Sequence, residues 1–471
     1  MTKDLREHQV AALNSIVEVM EQNSGSATGR IVIPTGGGKT FIEAALIDYQ
    51  IRNRVSGYTA IHLVLAPRIL LANQLITEYR KYGGIHYRSI AFHSGKHEPD
   101  YEIIKWQEKS TTSVSELEAE FIKAQKVGTD LVVFSTYHSC DKLANIKFDT
   151  IIADESQYCV SENFNNAIKS LTGRVKVFFT ATERHTSSTN GRGLNNENIY
   201  GKRLYTVKPA ELITKNLIVP PRLHIMHALT RCEGRSVVDE VIELAQEQDK
   251  LTRPELGFSK ILFAMKGTAD VKTVADNLAE FQNKFPGHDI FTITSKTGAQ
   301  INGIKIRRED FVERLKNAKN ALIFHYDILS EGIDVDGITG VVLMRQLLLA
   351  KLLQTIGRAV RIYKPDPSLK RQAWISVPVL NGEEDDMAQV REVIRAIRDG
   401  GYDISKEHVV ETGNTRHHGD EQEINDAYGS TKPNLSLFSI EVLFHEIEKD
   451  AYWDAINTAE TPEETLDLLF S

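Results

Sequence analysis

Long hydrophobic runs are missing from this sequence of 471 residues: no stretch approaches 18 uninterrupted apolar residues, so a helical membrane span is excluded and no membrane partner is expected. Cysteine is scarce as well. Cys140, Cys159 and Cys232 are odd in number and widely spaced, which argues against a disulfide framework and against a thiolate zinc site. They are expected to be core residues. There is no low-complexity tract and no short repeat. The opening residues MTKDLREHQV carry acids where a secretory leader has its apolar core, so a cytoplasmic setting is expected. Excess positive charge is also lacking, since the formal net charge is −8. That total hides an uneven distribution. Residues 1–208 hold 25 Lys/Arg against 22 Asp/Glu, residues 209–380 hold 24 against 20, and residues 381–471 hold 7 against 22. The acidity belongs to the last segment, which "NGEEDD" opens near Asn381.

What is present is ordinary for soluble globular protein, 41% apolar and 25% charged, in a chain too long for one core. Short β-branched runs alternate with helical patterns in "RIVI", "IHLVLA", "DLVVFST", "FDTIIAD" and "VKVFFTAT", which reads as a parallel sheet covered by helices. The stretch "ERHTSSTNGRGLNNEN" interrupts the alternation. It returns in "KILFAM", "IFTITS", "NALIFHY", "ITGVVLM" and "AWISVPV", predicting a second α/β domain. The tail reads as helices in "AQVREVIRAIRDGG" and "SIEVLFHEIEKDAYWDAINTA". The expected division is 1–208, 209–380 and an acidic, mainly helical region over 381–471.

Three stretches carry chemistry. In "IVIPTGGGKT" the glycines Gly36, Gly37 and Gly38 follow an apolar strand, and a backbone without Cβ atoms can wrap closely around an anion at the positive end of a helix. Lys39 can reach β- and γ-phosphates and Thr40 can ligate Mg²⁺. The strict pattern GxxxxGK[ST] asks for glycine where Ile33 stands, so the match is imperfect. In "IIADESQ" the adjacent carboxylates Asp154 and Glu155 close an apolar strand, a costly pairing unless a cation or proton relieves it. Mg²⁺ held by Asp154 through water, with Glu155 orienting and deprotonating the attacking water, satisfies that requirement. In "QTIGRAVR" the residues Arg358 and Arg361 are spaced to share one helical face and converge on a γ-phosphate, in the manner of an arginine finger worth about 10³ to 10⁵ in rate.

Together, in this order, the stretches make the chain resemble a superfamily 2 helicase or translocase of the DExH type. The resemblance runs through residues 5–361. It implies two tandem RecA-like domains, ATP and Mg²⁺ as cofactors, and nucleic-acid-stimulated ATP hydrolysis. "LREHQ" resembles the Q motif, with Arg6 and Gln9 toward the nucleotide and Gln9 at the adenine edge. "PTGGGKT", from Thr35 to Thr40, is motif I, and "APRILLANQ" resembles motif Ia, with Arg68 near a nucleic-acid phosphate. "STYHS" resembles the Ib region through Thr136. "DESQ" is motif II, with Gln157 where many relatives carry histidine, and "TAT" is motif III, whose Thr180 and Thr182 would couple phosphate state to track. "ILFAMKG" occupies the place of motif IV. "DILSEGIDV" matches motif V through Ser330, Glu331, Gly332 and Asp334, with Gly332 and Asp334 toward nucleotide and Ser330 toward nucleic acid. "QTIGRAVR" is motif VI, with Gln354 a coupling residue.

Families of this type hold the phosphates of one strand, a mode steeply weakened by salt. Candidate contacts are Arg68, Lys96, Lys266, Lys296 and the hydroxyls of Ser295 and Thr297 in "SKTG". A motif II that is not DEAD, and Gln354 in place of a His-Arg opening, favour DNA over RNA. The wording resembles phage branch-migration helicases, fork-reversal helicases and restriction-enzyme motors. The Q motif starts at Leu5, leaving no room for the amino-terminal DNA-binding or wedge domain of several such enzymes, which argues against the branch-migration reading; the tail shows no nuclease pattern, so a self-contained restriction enzyme is not expected. The acidic tail is expected to cap the second domain, with protein docking or cover of the DNA channel as alternatives. Two functions fit: a motor that remodels DNA forks, junctions or duplexes, and an ATP-switched assembly subunit without processive unwinding. An RNA helicase is the remaining variant.

Overall fold

The computed structural model describes residues 5–82, 86–95, 109–186, 190–228, 236–294, 296–326, 337–347, 349–380 and 384–413, with residues 188, 335, 443, 444 and 447. The chain divides into two compact units, the first running through Leu212 and the second beginning at Ile213. Each contains one large sheet.

In the first unit the strands are β1 (Ala27–Val32), β2 (Ile61–Ala66), β3 (Arg88–Phe92), β4 (Lys109–Thr111), β5 (Leu131–Thr136), β6 (Lys147–Ala153), β7 (Thr172–Thr180) and β8 (Lys202–Thr206). They lie in the order β4-β3-β5-β2-β6-β7-β1-β8, all parallel. Every residue of β2 and β5 is buried, as expected of strands covered on both faces. The covering helices are α1 (Glu7–Gln22), α2 (Lys39–Arg52), α3 (Ile69–Tyr82), α4 (Val114–Val127) and α5 (Glu162–Ser170). Strand alternation sends Val133 to one face, among Leu117 and Ala124 of α4 and Ile168 of α5. Its neighbour Phe134 points to the other, where Tyr79 of α3 meets it edge to face at 5.3 Å. Local chemistry fixes the helix ends. Ser113 accepts from the Glu116 N–H at the start of α4, and Gly128, at φ 67°, closes it.

The second unit adds β9 (Pro221–Ala228), β10 (Lys260–Ala264), β11 (Asp289–Thr294), β12 (Gly298–Ile301), β13 (Ile304–Ile306), β14 (Ala321–His325), β15 (Gly340–Leu343), β16 (Ala373–Leu380) and β17 (Val409–Gly413). Their order is β13-β12-β11-β14-β10-β15-β16-β9-β17, parallel except for the hairpin that β12 and β13 hang on β11. Phe263 stacks on Phe324 at 4.8 Å at the centre of the core, beneath the helices Val237–Leu256 and Thr268–Asp276. The two parallel-rich sheets with flanking helices are tandem RecA-like units, as expected. The acidic segment contributes more than helices: after Glu384–Asp399, the strand β17 joins the sheet edge beside β9. Its "VVETG" carries two β-branched residues inside a block read for its charge. Among the described residues no helix is long and apolar enough to cross a membrane.

A polar cluster sits at the amino-terminal ends of β2 and β5. His62, fully buried, has Nε2 3.9 Å from Asp130 Oδ2. Burial first, then the charges of Arg54 and Arg174, push its pKa down to about 3. Asp130 does not reverse this, because its carboxylate is held by Arg54 and accepts from the Ala60 N–H at 2.9 Å. The unfolded imidazole, with a pKa of about 6.5, takes up a proton that the folded one refuses. Stability is therefore unaffected well above pH ~6.5 and declines as pH falls from there toward ~3. The measured stability loss between pH 7 and pH 5 in urea melts is expected to be about 2 kcal/mol smaller for His62→Gln than for the parent protein. An unchanged pH slope would contradict the buried neutral imidazole.

Candidate functional site

The strand order decides which loops meet. β6, β7 and β1 are neighbours, while the chain leaves β1 to form β2 on the far side of β6. At such a reversal the carboxyl ends of the strands open a crevice that binds ligands. Three loops therefore share one edge: Pro34–Gly38 after β1, Asp154–Glu155 after β6, and Thr180–Thr182 at the end of β7.

The first loop is a cradle. Gly38 has φ 85°, and a Cβ there would lie 2.3 Å from Gln9 Nε2. A Cβ on Gly37 would lie 2.4 Å from Ile33 Cγ2 and 3.1 Å from the Pro34 carbonyl. Ile33, the departure from the strict pattern, is fully buried beneath the loop, with its N–H on the Thr180 carbonyl at 2.9 Å. α2 begins at Lys39, so its amino-terminal N–H groups and positive dipole end face the same edge. Gln9 pins the loop from behind. Its Nε2 donates to the carbonyls of Gly37 and Gly38 at 3.3 and 3.4 Å, and its Oε1 accepts from the Arg6 N–H at 2.9 Å. His8 Nε2 lies 2.8 Å from the Gly37 carbonyl. Both residues are buried and Arg6 is exposed.

From the cradle a polar chain runs across the edge. Lys39 Nζ pairs with Glu155 Oε1 at 3.4 Å. Glu155 Oε2 accepts from Gln157 Nε2 at 2.8 Å, and Gln157 Oε1 lies 2.7 Å from the Thr180 hydroxyl. That hydroxyl is 2.6 Å from the Thr182 carbonyl and accepts from the Thr182 N–H at 3.1 Å. Its single proton serves one of two acceptors, Gln157 or Thr182, at a time. Glu155 reaches Lys39 from a left-handed backbone, φ 50° and ψ 49°, a conformation that costs a non-glycine residue about 1 kcal/mol or more. Asp154, 4% exposed, is fixed by its own backbone: its N–H donates to the Leu65 carbonyl at 2.9 Å and its carbonyl accepts from Tyr137 OH at 2.6 Å.

Three carboxylates crowd one ammonium here. The third, Glu43, lies one turn beyond Lys39 on α2, is fully buried, and accepts from Tyr79 OH at 3.1 Å. Burial first, then the charge of Asp154, raises the Glu43 pKa well above the usual carboxylate range. Burial and Glu155 raise Asp154 to about 7. Burial alone would lower the Lys39 pKa, but Glu155, Asp154 and Glu43 outweigh it and keep the lysine charged. The excess negative charge around Asp154 suits a cation. Among the described residues no group of three or more His, Cys, Asp or Glu could hold a metal by itself. The donor set fits Mg²⁺ carried on phosphates, which needs only one or two carboxylates and a hydroxyl such as that of Thr40.

Glu43, Tyr79 and His8 escaped the sequence reading. A carboxylate in the apolar run "TFIEAALI", four residues after Lys39, was the signal for the first. Glu183 escaped too. Directly after "TAT", it pairs with Arg30 Nε at 2.9 Å and with Arg203, tying the end of the Thr180 loop to β1 and β8.

The second unit places the arginines differently from expectation. Arg358, 6% exposed, lies on the helix Leu349–Ala359, but the helix ends before Arg361, which forms an isolated antiparallel bridge with Ile218. The two do not share one helical face, because the Val360 carbonyl is taken by the Val219 N–H at 2.8 Å. Gln354 is half-buried on the same helix. Of the expected nucleic-acid residues, Arg68, Lys266 and Lys296 are exposed. Thr136 is buried with its hydroxyl donating to Ser139 at 3.2 Å, and Thr297 bonds Thr294 at 2.8 Å. Ser295, Ser330, Gly332, Asp334 and Lys96 lie outside the described residues.

Residues 2–185 match the family described as Type III restriction enzyme, res subunit. No curated protein sequence matches significantly. Among solved structures, the fold is similar to the ATP-dependent Type ISP restriction-modification enzyme LlaBIII bound to DNA, at 16% identity and TM-score 0.69, over 97% of this chain and 34% of that one. It is also similar to a nuclease-deletion mutant of the Type ISP enzyme LlaGI in complex with a DNA substrate mimic, at 16% identity and TM-score 0.59, over 96% of this chain and 33% of that one. A further likeness is to Mss116p bound to ssRNA and AMP-PNP, at 16% identity and TM-score 0.53, over 99% and 82% of the two chains. The chain thus spans about a third of the length of the Type ISP enzymes. The family match thus covers residues 2–185, the part that holds cradle and acid pair, and the tandem RecA-like fold is shared with these solved structures.

Proposed function

We propose that the protein is an ATP-driven motor that moves along DNA and remodels forks, junctions or duplexes. The observation that carries this reading is the unbroken polar chain from Lys39 through Glu155 and Gln157 to Thr180 and Thr182. It links the phosphate cradle to the end of β7, so a change at the γ-phosphate has a route away from the cradle. In this reading Lys39 leaves Glu155 for the β- and γ-phosphates, and Glu155 then orients and deprotonates the attacking water. Thr40 and Asp154 would hold Mg²⁺, which would supply charge neutralisation on the phosphates. Arg358 and Arg361 are the candidates to stabilise the transferring phosphoryl group. Gln9, whose amide is spent on the loop carbonyls and the Arg6 N–H, supports the cradle and is not turned toward an adenine edge.

DNA is favoured as the track by the likeness to two Type ISP enzymes seen with DNA or a DNA mimic, at TM-scores of 0.69 and 0.59. The likeness to Mss116p with ssRNA, at TM-score 0.53, supports the alternative of an RNA track. A silent ATP switch is less well supported, because Lys39, Asp154, Glu155, Arg358 and Arg361 are all present.

Two outcomes follow. Phosphate release should rise at least tenfold with single-stranded, forked or four-way DNA and fall steeply with added salt. Stimulation by RNA alone would move the assignment to the alternative. Glu155→Gln should lower stimulated turnover by at least about 100-fold, since it removes the water's base, while ATP binding is retained or tightened because Lys39 loses its competing partner. Turnover at the parent rate would remove Glu155 from catalysis.

A further inference from the structure

A buried lysine stands behind the arginine pair. Lys370, 1% exposed, donates from Nζ to the Ala359 carbonyl and, at 2.5 Å, to the Arg361 carbonyl. These carbonyls flank the point where the helix Leu349–Ala359 gives way to the bridge between Arg361 and Ile218. The Val360 carbonyl between them accepts the Val219 N–H at 2.8 Å, so three successive carbonyls are each engaged from outside the helix. The lysine reaches them from a turn. Asp366 Oδ1 accepts from the Ser368 N–H and hydroxyl at 3.1 and 2.6 Å, and the Asp366 carbonyl accepts from the Leu369 N–H at 3.2 Å. A charge at that position also suits the negative end of the helix dipole.

We infer that Lys370 is a positioning residue for motor activity: it breaks the helix after Ala359 and sets the direction in which Arg358 and Arg361 are presented. Left to itself, the alternation of Ile356, Ala359 and Val360 would carry the helix through Arg361 and turn that residue elsewhere. Captured by Nζ on one side and by the Ile218–Val219 segment on the other, the Arg361 backbone has no freedom to follow. The inference rests on the proposed action of the two arginines on the γ-phosphate. A natural control exists in the same unit. Lys260, also 1% exposed, donates to the Leu315 and Lys316 carbonyls at 3.0 and 3.4 Å, at the end of the helix Arg308–Asn317, which bears neither arginine.

The test compares Lys370→Met, Lys260→Met and Asp366→Ala in the full chain, reading kcat and KM for ATP with saturating DNA, alongside thermal melts. Lys370→Met is expected to lower kcat at least tenfold with KM within twofold, whereas Lys260→Met lowers the melting temperature but leaves kcat within twofold. Asp366→Ala, which loosens only a partly exposed turn, is expected to lower kcat twofold to fivefold in a fully folded protein and keeps the inference testable if Lys370→Met does not fold. In a background of Arg358→Ala with Arg361→Ala, Asp366→Ala should cause no further loss. A parent-like kcat for Asp366→Ala, equal kcat losses for both lysine variants, or a further loss in the arginine-free background would overturn the inference. Parent-like kcat in the Arg358→Ala, Arg361→Ala protein would instead overturn the reading of the arginines.

Discussion

The ion pair between Lys39 and Glu155 is the interaction on which the rest of the first unit's edge depends. An ammonium only 10% exposed cannot be left unpaired at the mouth of a phosphate cradle, and removing one partner of such a pair is far more costly than never having buried it. Glu155 therefore plays two parts in sequence. Here it is the counter-charge of Lys39; in the proposed mechanism, bound phosphate releases it toward water together with the neighbouring Gln157. The left-handed backbone of Glu155 is the geometric cost of bringing its carboxylate to Lys39 from a tight turn.

Rigidity around this pair comes from groups that contact no phosphate. His8 and Gln9 bind the carbonyl side of the loop at Gly37 and Gly38. Tyr137 fixes the Asp154 carbonyl, and Glu183 with Arg30 and Arg203 anchors the far end of the polar chain. Between these fixed points the Thr180 hydroxyl has two acceptors and one proton, a small two-state element of the kind that can report a change at one end to the other. A preorganised frame with one movable link concentrates response where it is useful.

Much of this was legible in the sequence, for a physical reason. Fully buried parallel strands must be short continuous apolar runs, so "IHLVLA" announced β2 residue for residue and "LVVFST" announced β5. Backbone-dictated chemistry, glycines for a cradle and adjacent acids after a strand, was readable in the same way. What escaped depended on side chains distant in sequence: Tyr79 on Glu43, Arg30 on Glu183, and Lys370 on the backbone around Arg361. No local pattern encodes such meetings. The helix through Arg361 was misjudged on that account, since spacing of three favours one face only while the helix lasts. Edge strands with mixed polarity, such as "KRLYT" of β8 and "VVETG" of β17, were missed because their described residues are exposed or only half-buried and form no continuous apolar run.

The most direct measurement is a crystal structure of the protein with a Mg²⁺-bound transition-state analogue of ATP. Lys39 Nζ is expected to have left Glu155 for the terminal phosphate group, with Glu155 turned toward the in-line water and Gln157 displaced from its position against Thr180. An analogue bound in the cradle with the Lys39–Glu155 pair and the Gln157–Thr180 contact unchanged would contradict the release of Glu155 on which the whole mechanism turns.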